Sequence, residues 1–170
     1  MKLRAIPVSS MLFATLLLGA CASTPQAPGA GAQVDARSGS TVSGNVTFSD
    51  LGGAVQVDAK FAGLTPGEHG FHVHEAGDCS AADASSAKGH YNPAGQRHGH
   101  HDSKVRHGGD MPNLVANAQG EARLSAELKD LTVSELVGRS VVVHADPDDY
   151  MSQPAGNSGK RIACGVIAAR

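Results

Sequence analysis

Histidine placement is the feature of this chain that most constrains its fold. Two histidines alternate with apolar residues in Gly70-Phe71-His72-Val73-His74, and another ends the run Val141-Val142-Val143-His144. The segment between these two runs contains His90, His98, His107 and Asp110. Neutral imidazole is a strong ligand for copper and zinc, and three histidines with one carboxylate suit tetrahedral zinc. The pattern predicts two metal sites that share a residue, and a fold that brings distant segments together for redox or hydrolytic chemistry.

Alternation places the histidines of the two short runs on one face of a sheet. Side chains of a strand point to opposite faces in turn, so His72 and His74 share the outward face while Phe71 and Val73 face the core. The valine run repeats this order and leaves His144 outward. A single His-x-His is more often a surface coincidence, and a histidine-rich loop is often only hydrated surface. The occurrence of both patterns in one chain argues against these alternatives.

Short alternating runs bounded by turn residues predict an all-β domain. Helical periodicity is confined to a turn or two at residues 130–137. We predict eight strands, at residues 33–37, 41–49, 54–61, 69–74, 114–118, 122–128, 140–144 and 161–167. Eight strands with hairpin spacing favour an eight-stranded Greek-key β-barrel or sandwich of immunoglobulin-like architecture. The segments 75–113 and 145–160 are predicted to be two long functional loops.

The N-terminus has the composition of an export signal. Lys2 and Arg4 precede a short apolar run, and Leu18-Gly19-Ala20 has the small residues of a cleavage site. Residues 1–20 are therefore predicted to be a signal peptide. Residues 21–38 are rich in Ala, Pro, Gly and Gln, which predicts a flexible tether. Residues 39–170 remain as one domain with one core.

Three cysteines are an odd number for an exported chain. Cys21 follows Leu-Gly-Ala and resembles the acylated cysteine in the lipobox of bacterial lipoproteins. Lipidation of Cys21 is predicted, the alternative being an ordinary secretory signal with an incidental cysteine. If Cys21 carries lipid, Cys79 and Cys164 are left to form a disulfide in an oxidising compartment. Two separate buried thiols are the alternative to that bond.

The charge balance makes nucleic acid an unexpected partner. Removing Lys2 and Arg4 from the 14 basic residues leaves 12 against 16 acidic ones, a formal charge of about −4. No basic stripe is present. The predicted loops are more basic than the rest of the domain. Basic side chains lie in or next to them at Lys88, Arg97, Lys104, Arg106, Lys160 and Arg161.

Six segments closely resemble the copper/zinc superoxide dismutases. They are Gly-Phe-His-Val-His-Glu at 70–75, Gly-Asp-Cys at 77–79, Gly-His-Tyr-Asn-Pro at 89–93, His-Gly-Gly-Asp at 107–110, Val-Val-His at 142–144 and Gly-Asn-Ser-Gly-Lys-Arg-Ile-Ala-Cys-Gly-Val-Ile at 156–167. The resemblance covers nearly the whole domain, and its ligand spacing is highly specific. It implies a β-sandwich architecture, which this family shares. It also implies conversion of superoxide to dioxygen and hydrogen peroxide by copper redox cycling.

The resemblance also implies the ligands, with one copper and one zinc ion per subunit. Copper is implied at His72, His74, His90 and His144. Zinc is implied at His90, His98, His107 and Asp110. His90 would bridge the metals and serve as a proton donor, while zinc would be structural. His100 and His101 lie outside this pattern and are expected to be exposed non-ligands that could recruit metal transiently.

Two further residues match positions around the metals. Asp148 matches the aspartate that links a copper-ligand histidine to a zinc-ligand histidine, here His72 and His98. Arg161 matches the arginine beside the open copper position, where its charge suits a small anion. The alternatives are an exposed acid in a turn and a surface arginine.

The chain departs from the animal branch of the family in residues 149–160, which are short and lack the usual guiding charges. Lys88 and Lys160 are the hypothesised replacements. The lipoprotein-like signal agrees with an enzyme of the bacterial cell envelope, in the periplasm and anchored to the outer membrane through Cys21. Bacterial and animal members pair through different surfaces, so monomer and homodimer are both compatible with the sequence.

The main alternative function is a non-enzymatic envelope protein that binds copper and zinc. Such a protein would use the same ligands but would not need Arg161 or Asp148, and both residues are present. A copper-only relative without a zinc site is disfavoured by the presence of His98, His107 and Asp110.

Overall fold

The computed structural model describes Met1 and residues 29–170. The predicted signal peptide and Cys21 lie outside the described residues. Within the described part the chain forms ten strands: β1 (Gly29–Ala36), β2 (Ser43–Asp50), β3 (Ala54–Ala62), β4 (Gly67–His69), β5 (Phe71–His74), β6 (Leu114–Ala116), β7 (Ala122–Lys129), β8 (Ser140–His144), β9 (Arg161–Val166) and β10 (Ala168–Ala169). A short 3₁₀ helix spans Ser85–Ala87 in the first long loop, and one short α-helix, α1 (Val133–Leu136), precedes β8. The all-β prediction is confirmed.

The strands form one long antiparallel sheet and a small second one. The order in the large sheet is β5-β8-β9-β1-β2-β3-β7, with β10 also paired to β1, while β4 pairs with β6. The chain crosses from one end of this order to the other between β3 and β5, and again between β7 and β8. Such returns across the sheet are typical of Greek-key connections. They put β5 and β8 side by side although the sequence separates them.

The core follows from the alternation of side chains along each strand. In β3, Val55, Val57 and Phe61 are buried while Asp58 and Lys60 point outward to solvent. In β5 and β8, by contrast, every residue is buried. Both faces of these two strands are therefore covered, one by the core and the other by loops.

The two long loops cover the outward face of β5 and β8. Val73 donates its backbone N–H to Gly109 O at 2.9 Å and accepts from Tyr91 N at 2.8 Å, so the first loop runs beside β5. The second loop is fixed at Gly70, which donates to Asp146 O at 2.9 Å. A Cβ at Gly70 would lie 2.6 Å from the Ser158 hydroxyl oxygen, so this close approach requires glycine.

A disulfide between Cys79 and Cys164 holds the start of the first loop against β9. Its Cα atoms are 5.7 Å apart and the two residues are 85 positions apart in sequence. Around Cys164 a second apolar cluster contains Ala84, Ala87 and Val142. The predicted disulfide is confirmed, and it ties loop to sheet on the outward side.

The predicted tether at residues 21–38 is wrong for residues 29–36, which form β1. Small side chains alone did not indicate a strand here, but the backbone of Gly29–Val34 pairs with β2 and that of Ala30 and Gly31 with β10. Ala30, Ala32 and Val34 enter the core. Backbone pairing and burial on one face outweigh the low strand propensity of Gly and Ala.

The predicted strand at 69–74 is divided at Gly70. The chain changes partner there, since β4 pairs with β6 whereas β5 pairs with β8. This division and the short β10 account for ten strands where eight were predicted. In the part of the chain that the structure describes, no helix is long and apolar enough to cross a membrane.

Candidate metal centre

The first group of histidines gathers on the outward face of β5 and β8. His72 pairs with Val142 across these strands, and His74 Nε2 lies 3.4 Å from His144 Nε2. An isolated backbone bridge between His74 and His90 brings the first loop alongside. The His90 ring stacks on that of His72 with centroids 3.9 Å apart. One ligand atom from each of these four residues lies within 4.8 Å of the others.

The second group is formed by the first loop around one carboxylate. Asp110 Oδ1 lies 2.9 Å from His90 Nδ1, 3.1 Å from His98 Nδ1 and 3.4 Å from His107 Nδ1. The other oxygen, Oδ2, accepts from the backbone N–H groups of His107 at 2.8 Å and Gly99 at 3.2 Å. The loop backbone therefore holds the carboxylate through Oδ2, while Oδ1 faces the three imidazoles.

His90 belongs to both groups. Its Nδ1 faces Asp110, and its Nε2 is buried with no hydrogen-bond partner among the described residues. The Nδ1 atom of His72 is likewise buried and unpaired in that part of the chain, and that of His98, although 3.1 Å from Asp110 Oδ1, makes no hydrogen bond there. Buried imidazole nitrogens without partners are costly unless something binds them. The orphan nitrogens and the ligand types fit copper and zinc.

Asp148 joins the two groups from behind. Its Oδ2 accepts from His72 Nε2 at 2.7 Å and its Oδ1 from His98 Nε2 at 2.9 Å. Asn113 Oδ1 accepts the backbone N–H of Asp148 at 2.9 Å, and Tyr150 N donates to Asp148 Oδ1 at 2.7 Å. Because both Nε2 atoms are used in this way, the Nδ1 atoms of His72 and His98 point to the ligand groups.

Burial sets the charge state of the first group. Desolvation holds the pKa of His74 and His144 well below the usual value, and the neighbouring histidines add to this effect. Burial also lowers the pKa of His90 to about 4. These rings are therefore neutral at neutral pH, which is the state that binds metal.

Carboxylates set the charge state of the second group. Burial opposes ionisation of Asp110, but the adjacent histidines outweigh it and hold its pKa well below the usual range. The same balance depresses the pKa of Asp148, with His72 as the main partner. Burial disfavours protonated His98, yet the Asp110 and Asp148 carboxylates raise its pKa to about 9. Without a metal ion, a proton on His98 balances these anions.

A cavity gives access to the first group from outside. It has a volume of about 300 Å³ and is lined by His74, His90 and His144, with Arg161 in its wall. A β-bulge shifts the pairing of β8 and β9 so that His144 stands opposite Arg161. Arg161 Nη1 donates to Ala84 O at 2.8 Å, which fixes the half-buried guanidinium.

Three residues have positions at the site that no sequence motif predicts. Asn113 and Tyr150 fix the loop around Asp148, and Tyr150 also accepts the backbone N–H of Asn113 at 2.9 Å. His69 is buried behind His144, with its Nδ1 2.8 Å from the His144 carbonyl oxygen. Their roles depend on contacts between segments 35 or more positions apart in sequence. Spacing within one segment could not reveal them.

Known proteins resemble this chain in sequence and in structure. The family model of copper/zinc superoxide dismutase matches residues 42–167. A superoxide dismutase [Cu-Zn] of Paramecium bursaria Chlorella virus 1 is 43% identical over 136 residues, which cover 74% of this chain and 72% of that protein. The superoxide dismutase [Cu-Zn] 2 of Aquifex aeolicus (strain VF5) is 41% identical over 135 residues, 74% of this chain and 79% of that protein. The crystal structure of the clock protein EA4 superposes with a TM-score of 0.76 at 37% identity, covering 86% of this chain and 97% of that chain.

Proposed function

The chain belongs to the copper/zinc superoxide dismutase family, and we propose that the two histidine groups are its metal sites. Its activity is that of an oxidoreductase that converts two superoxide anions and two protons to dioxygen and hydrogen peroxide. The observation that carries the site assignment is that two four-ligand groups share one ring, that of His90. Copper is assigned to His72, His74, His90 and His144. Zinc is assigned to His90, His98, His107 and Asp110.

The bound copper supplies a one-electron redox couple, and the bound zinc a fixed positive charge. His90 offers one ring nitrogen to each group, so its Nε2 is the atom at which a proton can be held and then given to the reduced substrate. Asp110 constrains the ring from its Nδ1 side at 2.9 Å. The position of the proton donor is therefore set before substrate arrives.

Arg161 binds and orients the anion. Its guanidinium lines the same cavity as His74, His90 and His144, and the hydrogen bond to Ala84 O holds it there. The remaining N–H donors suit a small diatomic anion. Because the side chain is already ordered, no reorganisation is needed when superoxide enters.

Asp148 is a positioning residue. By accepting from the Nε2 atoms of His72 and His98 it sets the tautomer and the angle of both rings. Carboxylate–histidine pairs of this kind raise the basicity of the ligand nitrogen. The aspartate therefore couples the geometry of the proposed copper group to that of the proposed zinc group.

The decay of a superoxide pulse tests this assignment. Protein carrying one copper and one zinc per chain is expected to remove many equivalents of superoxide, whereas protein carrying only zinc should remove none. An envelope protein that merely stores metal, the alternative function, would consume superoxide only in proportion to its copper. A stoichiometric result with fully loaded protein would favour that alternative.

We also propose an envelope location with a lipid anchor at Cys21. Residues 1–20 supply the export signal, and Cys21 is placed as in a lipobox. Since β1 begins at Gly29, residues 21–28 serve as the tether between lipid and domain. Metabolic labelling with radioactive palmitate tests this in a bacterial host. The parent chain should be labelled and recovered with the outer membrane, whereas a labelled Cys21→Ser variant would contradict the proposal.

A further inference from the structure

A third group of metal-ligating side chains lies on the surface of the first loop. His100, His101 and Asp102 each offer one ligand atom, and these atoms lie within 4.8 Å of one another. His100 and Asp102 are exposed and His101 is partly exposed. None of the three belongs to the copper or zinc sets proposed above.

A tight turn holds the three side chains together. Ser103 donates its backbone N–H to His100 O at 2.8 Å, and Asp102 N donates to His100 Nδ1 at 3.2 Å. The His100 and His101 rings have centroids 4.1 Å apart. The His100 ring also contacts Tyr150, at 4.6 Å between centroids. The backbone turn and the contact with Tyr150 therefore hold the three side chains near one another.

The two ring nitrogens of His101 have the surroundings that are typical of a metal-binding histidine. Its Nε2 lies 3.2 Å from Asp102 Oδ2, while its Nδ1 is buried and without a hydrogen-bond partner among the described residues. Histidines that bind metals usually donate their second N–H to a carboxylate in this way. With its Nε2–H directed to Asp102, the ring presents the lone pair of Nδ1 to an incoming ion.

We propose that His100, His101 and Asp102 form a capture site for a divalent transition-metal ion, from which the ion passes to the buried zinc ligands. Two imidazoles and a carboxylate suit zinc or copper(II). The transfer step rests on the zinc assignment made above. His98 is separated from His100 only by Gly99, whose N–H donates to Asp110 Oδ2 at 3.2 Å. The capture group is thus close in sequence to the proposed zinc ligand His98 and is linked to Asp110 through the Gly99 N–H.

Nearby cations keep the capture site weaker than the buried one. Lys129 Nζ lies 3.8 Å from Asp102 Oδ1, and Arg106 and Lys129 both act on His101 through their charge. An exposed site with three ligands and adjacent positive charge binds and releases an ion readily. The buried group offers four ligands against three in the capture group, so transfer proceeds inward.

Calorimetric titration of zinc into protein already loaded with copper and zinc tests binding. The parent is expected to take up one further zinc ion per chain, and His101→Gln to lose that third equivalent. Asp102→Asn should weaken it by about tenfold or more, because it removes the carboxylate that both binds the ion and orients His101. Lys104→Gln, an exposed change in the same turn, is the control and should keep the third ion. A parent that binds only two metal ions in total overturns the proposal.

The rate of zinc uptake by metal-free protein tests capture. With zinc supplied below saturation from a weak chelator, His101→Gln should fill the buried zinc group severalfold more slowly than the parent and Lys104→Gln, yet reach the same final occupancy of that group. Equal rates would overturn capture even if the third ion binds. Failure of the zinc assignment itself would appear differently, as a parent that holds no zinc tightly in the buried group.

Discussion

His72 Nε2 donates to Asp148 Oδ2 at 2.7 Å, and both side chains are fully buried. The second oxygen of the same carboxylate accepts from His98 at 2.9 Å. One carboxylate therefore controls a ring of the proposed copper group and a ring of the proposed zinc group. The two sites are coupled through Asp148 as well as through the shared His90.

Replacing Asp148 should weaken metal binding at both sites. In Asp148→Asn the amide cannot accept from both histidines, so we expect zinc affinity to fall by about 10- to 100-fold, with copper affinity also lowered. Competition against a chromogenic chelator measures both. Asp146→Asn, an exposed change two positions earlier, is the control. An Asp148→Asn protein with parental zinc affinity would contradict the positioning role.

Arg161 should affect turnover without affecting metal content. Removal of its charge in Arg161→Ala is expected to lower kcat/KM for superoxide by about tenfold or more, because an ordered donor beside the cavity is lost. Arg161→Lys keeps the charge and should retain part of the rate. Pulse decay together with metal analysis measures the effect. Loss of copper from Arg161→Ala would instead indicate that this side chain supports the ligands.

Breaking the disulfide should destabilise the domain. The 85-residue separation of Cys79 and Cys164 corresponds to a loss of about 4 to 5 kcal/mol in the free energy of unfolding when loop closure is removed. Urea unfolding of the double variant Cys79→Ser/Cys164→Ser measures this, with Cys21→Ser as the control. A loss below about 1 kcal/mol would show that the packing around Val142 alone holds the loop.

The metal-free protein should be most stable near neutral pH. An unfolded histidine titrates at 6.5, whereas folded His90 has a pKa of about 4, so between these values only the unfolded chain takes up this proton. Stability therefore falls as the pH drops from 6.5, on the order of 3 kcal/mol for His90 alone. His98 acts oppositely, because its folded pKa of about 9 gives stability that is lost as pH rises from 6.5 through 9. Urea unfolding from pH 4.5 to 9.5 should show this maximum, and a flat profile would contradict it.

Lys88 and Lys160 should steer superoxide toward the cavity. Both are exposed, and Lys160 lines a cavity of about 510 Å³ next to Arg161. Superoxide dismutases are a standard example of electrostatic steering, so Lys88→Gln/Lys160→Gln is expected to be slower and less sensitive to salt. Lys60→Gln/Arg123→Gln removes two charges from β3 and β7 and is the matched control. If both double variants keep the parental salt profile, steering by these lysines is excluded.

The sequence could predict the parts of the site that depend on local alternation. His72 and His74 stand on one face of β5 because strand side chains alternate, and that requires no knowledge of distant contacts. The sequence predicts only the C-terminal part of β1, since Gly29 to Ala32 have low strand propensity and form a strand only through pairing with β2 and β10. The sequence does not predict the roles of Asn113 and Tyr150 for a related reason. Both act through hydrogen bonds with Asp148, and only the folded chain brings these residues together.

The full burial of β5 on both faces has a consequence for errors in folding. Phe71 and Val73 fill the core while His72 and His74 face the loops. A slip of the strand by one position would place imidazoles in an apolar interior and remove two ligands, His72 and His74, from the proposed copper group. A chain that mispairs here can neither pack its core nor assemble the copper group. Because the register of β5 sets both the core and the copper ligands, only correctly paired domains become competent for redox chemistry.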